Sequence, residues 1–391
     1  MAESIFRVGH TDAHSEARRG MLALPHGTVE TPAFMPVGTN GTVKAITSPD
    51  LSEIGFSILL ANTYHLYLRP GADVIAQAGG LHHFINWPNN ILTDSGGFQI
   101  YSLASMRTVT EQGYAFRSHI DGSPHHLSPE DVVAIQTALG SDIQMQLDVC
   151  TPWGIPHAEA AEALRITSIW LKRAAKAWQG AAQSGYGGAL FGIVQGNFYK
   201  DLRKQSVEEV LEAGTAGIAI GGLSVGEEEG VFLDYLGYTA SLLPQGFPRY
   251  VMGIGSPQYI LYAIEQGIDM FDCVIPTRNA RNGQVFTRDG PFALKKADNR
   301  MDFGPIDKEC GCKICANYSR SYLRHLFKTQ EILCSMLATY HNLYFMQDLV
   351  QNARQAIGMD AFVSFKKTFL DRYNAGLRAK PNVRHTDDME Q

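Results

Sequence analysis

The stretch LFGIVQGNFYKDLRKQSVEEVLEAGTAGIAIGGLS, residues 190–224, contains one complete strand–helix–strand unit. Two short apolar runs, 190–197 and 217–224, flank a charged segment that ends at Gly214, a residue suited to a helix C-cap. Both runs are continuously apolar instead of alternating, which is typical of parallel strands buried on both faces. Each run stops at glycine or at a polar side chain.

The same unit recurs along the chain. Further apolar runs that end in glycine or a polar residue lie at 32–39, 58–65, 91–98, 143–150, 250–257 and 270–277. Helical patterns separate most of them, and in one of these Ser128 is a predicted N-cap with Pro129 at the first helical position. Strands and helices in this alternation predict an α/β fold, a (β/α)8 TIM barrel, with its chemistry at the carboxyl ends of the strands. The alternation alone leaves a doubly wound open sheet as the alternative.

Two segments interrupt this rhythm. Residues 105–127 carry turn signals and predict an inserted hairpin, and residues 300–345 contain a cysteine cluster. We therefore expect four parts: a TIM-barrel catalytic domain at 1–299, a zinc-binding subdomain at 300–345, helices that close the barrel at 346–375, and a flexible tail at 376–391.

Composition restricts the class of protein. With 391 residues, 45% hydrophobic and 18% charged, the chain is ordinary globular material with enough apolar surface for a large core. Its net charge of -6 gives no global sign of a nucleic-acid partner, so such a partner needs a local basic patch. The N-terminus lacks an apolar signal segment and no long apolar run occurs, so we expect a soluble cytoplasmic protein without membrane contact.

Three of the six cysteines, Cys310, Cys312 and Cys315, lie within the run CGCKIC. Three thiolates at this spacing predict a tetrahedral zinc site that needs a fourth ligand. Cys334 and His341 are the candidates, and we favour His341 because an amphipathic helical stretch would anchor it. Four protein ligands leave no open coordination position, so the predicted zinc ion is structural.

Polar residues follow the predicted strands. Asp94, Asp148, Gln195, the Gly221–Gly222 pair and Asp272 each end a strand, and Phe98 follows Asp94 closely. Singly, each has a simple structural explanation as a cap, a turn or a loop hydrogen bond. In a barrel they would converge on one mouth, where carboxylates and amides can bind the edge of a planar, guanine-like heterocycle.

At this point the sequence resembles the tRNA-guanine transglycosylases (queuine tRNA-ribosyltransferases) over residues 10–375. The motifs that carry the resemblance are, in order, TDSGGFQ, SDIQMQLD, GIVQG, GGLSVGE, MGIGSP, FDCVIPTRNARNG and CGCKIC with the later His341. The resemblance implies that guanine at the wobble position of certain tRNA anticodons is exchanged for a 7-deazaguanine base without ATP.

The resemblance also implies roles by position. Asp272 matches the covalent nucleophile and Asp94 the general acid/base. Base-binding positions are matched by Ser95, Gly96, Gly97, Phe98, Asp148, Cys150, Gln195, Gly222, Leu223, Val225 and Met252. Positions that contact the tRNA anticodon loop are matched by Gly253, Ser256, Tyr259, Thr277, Arg278, Asn279, Ala280 and Arg281. The metal position matches Cys310, Cys312, Cys315 and His341, with one zinc ion per subunit. Tyr318, Tyr322 and His325 match an aromatic contact of a homodimer.

The residues suit this chemistry. A carboxylate such as Asp272 can capture the ribose C1′ as the glycosidic bond breaks, and a carboxyl such as Asp94 can give and later take a proton. Relatives that accept the bulkier base queuine look as if they carry glycine at the position of Val225. The resemblance therefore implies that this chain uses the smaller base 7-aminomethyl-7-deazaguanine. Bacterial relatives usually have glutamate where this chain has Val149. Residues 278–300 are rich in arginine and lysine and predict a phosphate-binding patch.

Two other functions are considered. A barrel glycoside hydrolase would also use paired carboxylates, but it has no use for the cysteine cluster or for the arginines after Asp272. A non-catalytic tRNA-binding subunit would be expected to lose the nucleophile, whereas Asp94 and Asp272 are both present.

Overall fold

The structure is a computed structural model that describes residues 4–104 and 106–378. Its strands are β1 Phe6–Thr11, β2 Arg18–Leu24, β3 Gly27–Thr31, β4 Ala33–Gly38, β5 Ile58–Ala61, β6 Asn90–Thr93, β7 Arg107–Thr110, β8 Gly113–Arg117, β9 Pro124–Leu127, β10 Ile143–Met145, β11 Ala189–Val194, β12 Gly217–Ile220, β13 Arg249–Val251, β14 Met270–Cys273, β15 Gln284–Val285 and β16 Phe292–Ala293. Its α-helices are α1 Ser48–Ile54, α2 Thr63–Leu68, α3 Ala72–Gln77, α4 Leu81–Phe84, α5 Gly97–Leu103, α6 Pro129–Leu139, α7 His157–Gln183, α8 Lys200–Glu212, α9 Glu229–Leu242, α10 Pro257–Glu265, α11 Ile275–Arg281, α12 Lys313–Asn317, α13 Arg320–Lys328, α14 Ile332–Gly358 and α15 Phe362–Arg378, with a 3-10 helix at Ala297–Met301.

Eight parallel strands form a closed barrel. Their order around it is β10-β11-β12-β13-β14-β4-β5-β6, and β6 pairs with β10 to complete the ring. The last barrel strand, β14, pairs with the first, β4, with Asp272 opposite Met35. The predicted (β/α)8 barrel is therefore confirmed, and closure excludes the doubly wound open sheet.

Alternation along each strand divides the core into two layers. In β4, Met35 lies inside the barrel with Leu60 and Ile143, whereas Phe34 packs outward against the helices. All of these side chains are buried. Because a barrel strand is covered on both sides, both of its faces are apolar, which explains the continuous runs in the sequence.

The barrel strands are shorter than the apolar runs predict. The run 91–98 contains only three strand residues, because β6 spans Asn90–Thr93 and its first residue precedes the run. The amide of Asp94 still donates to the carbonyl of Ala61, and the chain then leaves the ladder and enters α5. The same happens after β10, which ends at Met145, three residues before Asp148. The polar residues at the ends of the runs thus belong to the loops at the carboxyl end of the barrel.

Local signals in the sequence explain how helices begin. Ser128 is the N-cap of α6 and forms a capping box with Asp131, as its Oγ accepts from the Asp131 amide at 3.1 Å and the Ser128 amide donates back to the Asp131 carboxylate.

The segment 105–127 is more than the predicted hairpin, because β7, β8 and β9 form a three-stranded antiparallel sheet in its described part, residues 106–127. Tyr114 of this sheet packs against Trp170 of α7.

The segment after the barrel is tied to its lower end, where the strands begin. Helix α14 runs without interruption across residue 345, where the predicted division between subdomain and closing helices falls. Gln347 and Arg354 of this helix donate to the carbonyls of Gly55 and Pro32 at 2.7 and 2.6 Å. The predicted tail at 376–391 overlaps α15 up to Arg378, and the rest of it lies outside the described residues. In the described ranges, no helix has the length and apolar character needed to cross a membrane.

Candidate active site and metal centre

Asp94 lies buried directly after β6. Its Oδ1 accepts a hydrogen bond from the amide of Thr63 at 2.9 Å, and its Oδ2 accepts one from Nδ2 of Asn62. Both donors stand at the start of α2, so the neighbouring strand β5 and its helix hold the carboxyl group in place. Burial raises the pKa of Asp94 to about 7, although the hydrogen bonds from Asn62 and Thr63 act in the opposite direction. A carboxyl group with this pKa can both donate and accept a proton near neutrality.

Asp272 is the third residue of β14. Its Oδ1 accepts two hydrogen bonds, from the hydroxyl of Tyr250 at 2.5 Å and from the amide of Gly253 at 2.9 Å. Burial raises the pKa of Asp272, and these two hydrogen bonds oppose the rise. Within the described residues, Oδ2 of Asp272 receives no hydrogen bond, so one oxygen is fixed and the other is available to a ligand.

The two aspartates belong to one cavity. After burial and the opposing hydrogen bonds, the negative charge of Asp272 is a further cause of the raised pKa of Asp94. The pKa of Tyr250, the residue that holds Asp272, is likewise raised by burial and, in smaller part, by Asp94. Two carboxylates that sense each other in a site of low polarity tend to share one proton, with one kept ionised and the other protonated.

Asp148 and Gln195 form the second polar group of the cavity. Nε2 of Gln195 donates to Oδ2 of Asp148 at 2.7 Å, and Oγ of Ser95 donates to Oδ1 at 3.3 Å. Sγ of Cys150 lies 3.7 Å from the same Oδ2. Burial raises the pKa of Asp148, and all three neighbours counteract this rise. The pair therefore presents a carboxylate and an amide side by side, the combination that a guanine-like edge requires.

Two glycines allow this close packing. A Cβ atom on Gly97 would lie 2.9 Å from the carbonyl oxygen of Asp148 and 3.1 Å from its Oδ1. Gly222 has a φ of 65°, and a Cβ there would collide with Oε1 of Gln195. Side chains at these positions would push the polar pair apart, and the positive φ of Gly222 also favours glycine, so close contact and backbone conformation together explain the glycines.

The apolar residues predicted to bind the base differ in exposure. Gly96 is the N-cap of α5, and Phe98 in the first turn of this helix exposes 51% of its surface. Met252 follows β13 and is half-buried. Leu223 is buried in the outer core and Val225 is half-buried beside it. An exposed aromatic ring at a cavity of hydrogen-bonding groups suits stacking on a planar ligand.

The cysteine cluster forms a compact four-residue centre. Nδ1 of His341 lies 3.7, 3.5 and 3.4 Å from the sulfur atoms of Cys310, Cys312 and Cys315. Tetrahedral zinc with Zn–S of about 2.3 Å and Zn–N of about 2.0–2.1 Å would separate sulfur from nitrogen by about 3.5–3.6 Å. Nε2 of His341 is 2.7 Å from the carbonyl of Phe286, which holds the proton there and leaves Nδ1 for a metal ion. The donor set fits a zinc ion without rearrangement.

Cys334 is not part of this centre. Its side chain is buried in the first turn of α14, and its Sγ donates to the carbonyl of Leu323. Two turns later in the same helix, His341 joins the cysteines in a group whose ligand atoms all lie within 4.8 Å of one another. His341, and not Cys334, is therefore the residue that completes the cluster with the three cysteines.

Known proteins resemble this chain over nearly its whole length. A family model described as queuine tRNA-ribosyltransferase matches residues 12–375. The chain belongs to this family. A queuine tRNA-ribosyltransferase of Treponema denticola is 56% identical over 371 residues, which is 95% of this chain and 98% of that protein. Proteins of the same name from Caldanaerobacter subterraneus and Borrelia duttonii are 51% and 50% identical, each over 95% of this chain, and 98% and 99% of their own length is covered.

Val149 lies in apolar surroundings. Val149 is buried in an apolar cluster with Tyr64, Leu147 and Trp170, and its amide donates to Oγ1 of Thr167. Its side chain thus packs into the wall behind Asp148. Valine is compatible with the apolar surroundings that this chain provides there.

The segment matched to RNA contact divides into buried and accessible residues. Thr277 and Ala280 of α11 are buried, and the hydroxyl of Thr277 is 3.1 Å from the carbonyl of Val274. Their side chains pack inward, so any contact with RNA at these two positions would involve the backbone. Arg278, Asn279 and Arg281 of the same helix are half-buried and remain able to meet a ligand.

The second RNA-matched segment starts helix α10. Gly253 binds Asp272 through its amide, and Ser256 is the N-cap of α10, whose Oγ accepts from the amide of Tyr259. The ring of Tyr259 stacks on Phe232 at 4.7 Å. Contact with RNA at this segment would therefore be made by the loop 253–256 more than by the tyrosine ring.

Arg288 of the predicted basic patch is engaged by carboxylates of the chain itself. Arg288 pairs with Asp348 at 2.8 Å, and Arg372 pairs with Asp289 and Glu309. By contrast, Lys44, Arg278 and Arg281 make no ion pair with a carboxylate in the described part of the chain. Burial lowers the pKa of Lys44, and the charges of Arg281 and Arg278 lower it further. These three cations thus form the positive group beside α11.

Sequence reasoning missed several residues that shape the site. Tyr250 holds Asp272 and Asn62 holds Asp94, while Oε2 of Glu227 accepts from the amide of Val225 at 2.8 Å. Buried Arg203 donates to the carbonyls of Gly221 and Gly222 at 3.2 Å. Asn62 and Tyr250 do lie near the ends of predicted strands, which was a usable signal. Arg203 lies inside a helix, where nothing in the sequence distinguishes it.

Proposed function

We propose that this enzyme exchanges guanine at the wobble position of tRNA anticodons for 7-aminomethyl-7-deazaguanine by double displacement. The observation that carries the proposal is the shared cavity of Asp94 and Asp272, in which one oxygen of Asp272 is free and the pKa of Asp94 is about 7. The relatives' name, queuine tRNA-ribosyltransferase, supports the reaction class.

In the first displacement, Oδ2 of Asp272 attacks C1′ of the ribose and the bond from C1′ to N9 of guanine breaks. The electron pair of that bond goes to the base, which takes a proton from the carboxyl group of Asp94 and leaves as neutral guanine. Asp94 becomes a carboxylate, and the ribose is now joined to Asp272 as an ester-like glycosyl adduct.

In the second displacement, the incoming base replaces Asp272. Its N9–H proton moves to the Asp94 carboxylate while N9 attacks C1′, and the bond from C1′ to the Asp272 oxygen breaks. Both carboxyl groups return to their starting state, so no ATP or other co-reactant is needed. Two inversions at C1′ give net retention.

Asp148 and Gln195 are proposed to read the base. A carboxylate accepts from the ring N–H and exocyclic amino group of a guanine-type edge, and an amide group donates to its carbonyl. The hydrogen bond between the two side chains supports this role, because a base that enters can exchange it for bonds of the same kind. Phe98 would replace the stacking that the base loses when it turns out of the anticodon loop.

The choice of replacement base is proposed from Val225 and Cys150. Both are half-buried, and Sγ of Cys150 lies 3.7 Å from Oδ2 of Asp148. The backbone amide of Val225 donates to the carboxylate of Glu227. This hydrogen bond fixes the backbone and limits movement of the isopropyl side chain. A valine fixed in this place supports a small 7-substituent over the cyclopentenyl group of queuine.

The metal is proposed to be one structural zinc ion per subunit, bound by Cys310, Cys312, Cys315 and His341. Soft thiolates with one imidazole suit zinc, and four protein ligands leave no position for substrate. The ion would connect the loop 310–315 to α14, and through α14 to the lower end of the barrel.

A homodimer is proposed through the surface around α13. Tyr318 and Tyr322 stack at 5.7 Å, and His325 lies one turn after Tyr322 on the exposed side. Large exposed apolar side chains lie in the same part of the sequence, at Met301, Phe303, Ile332, Leu333 and Met336. An exposed apolar surface of this kind is typical of a contact between proteins. Light scattering of the Tyr322→Ala and Ile332→Asp variants should give the monomer mass; a monomeric parent protein would contradict the proposal.

Incorporation of labelled guanine into purified tRNA tests the function. We expect label to enter the anticodon wobble position and 7-aminomethyl-7-deazaguanine to chase it irreversibly. Release of free sugar from simple glycosides without exchange would instead favour a glycoside hydrolase. Tight tRNA binding without exchange would favour a non-catalytic subunit.

A trapped adduct tests the nucleophile. Denaturing gels should show covalent tRNA on the parent enzyme and none on the Asp272→Asn variant, whose exchange should fall by at least about 1,000-fold. Asp298→Asn changes an exposed aspartate outside the cavity and is the matched control. An active Asp272→Asn variant would remove this residue from the mechanism.

A further inference from the structure

The opposite end of the barrel carries a second cluster of metal-ligand type. His26, His82 and Asp142 place their ligand atoms within 4.8 Å of one another. His26 lies in the turn between β2 and β3, His82 in α4, and Asp142 directly before β10. Asp142 precedes the barrel strand β10 and binds the amide of Ile91 near the start of β6, so the cluster lies at the amino-terminal end of the barrel, away from Asp94 and Asp272.

One carboxylate organises the cluster. Nδ1 of His26 is 2.7 Å from Oδ1 of Asp142, and Nε2 of His82 is 2.9 Å from Oδ2. The two imidazole rings stack with centroids 3.7 Å apart and planes 17° from parallel. Both rings therefore point one nitrogen into the same small space beside the carboxylate.

The ligands are held by the barrel itself. Oδ2 of Asp142 also accepts from the amide of Ile91 at 2.7 Å, and the amide of His26 donates to Oδ1 of Asn90. Metal-binding carboxylates are oriented by hydrogen bonds of this kind. The side chains of Asp142, His82 and His26 are 1%, 12% and 41% exposed, so the cluster opens to solvent at His26. An ion from solution can therefore reach the site past His26 and keep water on that side.

We propose that His26, His82 and Asp142 bind a divalent transition-metal ion of the zinc class. Two imidazoles and one carboxylate suit zinc, nickel and cobalt, and water would fill the remaining positions. Ligand atoms about 2.1 Å from a tetrahedral ion lie about 3.4 Å apart, so the nitrogen–oxygen distances of 2.7 and 2.9 Å must open by about 0.5–0.7 Å. Each imidazole keeps one proton, on the nitrogen that faces away from the ion. The bound ion fastens the β2–β3 turn to the lower end of the barrel.

Cobalt titration tests the proposal on full-length protein that carries no histidine tag and has zinc in the cysteine centre. We expect one additional Co²⁺ per chain by elemental analysis, with weak visible bands and no intense thiolate charge-transfer band. The melting temperature should rise when the ion binds. Intense thiolate bands alone, or no additional equivalent, would overturn the proposal.

Two variants locate the ion. His26→Gln changes an exposed turn residue, and His83→Gln changes an exposed histidine next to His82, which makes it the matched control. We expect at least a tenfold loss of Co²⁺ affinity and of the melting shift for His26→Gln, and no change for His83→Gln. Before Co²⁺ is added, the two variants should have the same melting temperature. Equal Co²⁺ affinity of His26→Gln and the parent protein would refute the site. His82→Gln should lose Co²⁺ affinity in the same way and is a second, independent test.

Discussion

Tyr250 and Asp272 stand on the same face of neighbouring strands, and the phenol of Tyr250 donates to the carboxylate of Asp272 at 2.5 Å. Tyr250 is opposite Met270 in the β13–β14 register, and Asp272 follows Met270 by two residues. Side chains two residues apart on a strand point to the same side. The register of the barrel thus brings a hydrogen-bond donor to Oδ1 of Asp272. The other oxygen, Oδ2, is the one proposed to attack the ribose.

The Tyr250→Phe variant should make adduct formation more sensitive to acid. Burial raises the pKa of Asp272 and the Tyr250 hydrogen bond lowers it, so loss of the hydroxyl raises the pKa further. Less of the nucleophile is then ionised at low pH. We expect a loss of about 10–100-fold at pH 6 that shrinks as pH rises. Single-turnover adduct formation across pH measures this, with Tyr235→Phe as a control far from Asp272; a loss independent of pH would contradict it.

Asp94 should give the two half-reactions opposite pH dependence. Its pKa of about 7 means that it is protonated below and ionised above that pH. Departure of guanine needs the acid form, so adduct formation should fall as pH rises through about 7. Capture of the incoming base needs the carboxylate, so adduct decay should fall as pH drops through the same range. Rapid-quench measurement of each step tests this; parallel pH profiles would exclude Asp94 as the shared acid and base.

Asp94 should also affect stability. Its folded-state pKa is raised above the ordinary value of 3.8, so the folded protein holds a proton that the unfolded chain loses between about pH 4 and 7. The contribution of this group to stability therefore decreases as pH rises through that window and is constant above it. The Asp94→Asn variant should show a smaller fall in unfolding free energy from pH 5 to 7, by up to a few kcal/mol. Chemical denaturation of both proteins at several pH values measures the difference, and identical slopes would contradict it.

Loss of the metal centre should destabilise the fold more than it changes the chemistry. Cys312→Ala removes a buried ligand, and we expect its melting temperature to fall by about 5–15 °C because metal binding contributes to folding free energy. Cys334→Ala removes a buried thiol outside the centre and should keep a full equivalent of zinc. Calorimetry, elemental analysis and adduct formation below the melting range test this. Unchanged melting after zinc removal would refute a structural role.

Arg281 should contribute to tRNA binding through charge. Burial lowers its pKa, and the charge of Arg278 lowers it further, so a phosphate nearby would relieve repulsion. Arg281→Ala should weaken tRNA binding about tenfold at low salt and reduce the slope of log K against log salt by about 1. Arg165→Ala, which breaks a surface ion pair on α7, is the control. An unchanged salt slope would place the phosphates elsewhere.

Much of the site could be predicted because it follows the ends of strands. A buried run that stops at Asp94, Asp148, Gln195 or Asp272 marks where the chain leaves the ladder, and in a closed barrel all these points share one end. Partners such as Asn62 and Tyr250 were missed, since their importance lies in a hydrogen bond to the neighbouring strand and not in the residue's own stretch of sequence. The pairing of Arg288 within the basic patch was also not predictable, because its acidic partner Asp348 is far away in sequence.

The sequence by itself determined the alternation of strands and helices, the grouping of acids at strand ends and the three thiolates of the metal centre. These depend on local period, local turns and short spacing, which neighbouring residues set. Tertiary structure alone decided that the sheet closes, that Asp94 and Asp272 share one cavity, and that Thr277 and Ala280 are buried. It also gave Asp94 a pKa near neutrality and joined His26, His82 and Asp142. Burial and contact between distant segments cause each of these properties, and neither can be read from a local pattern.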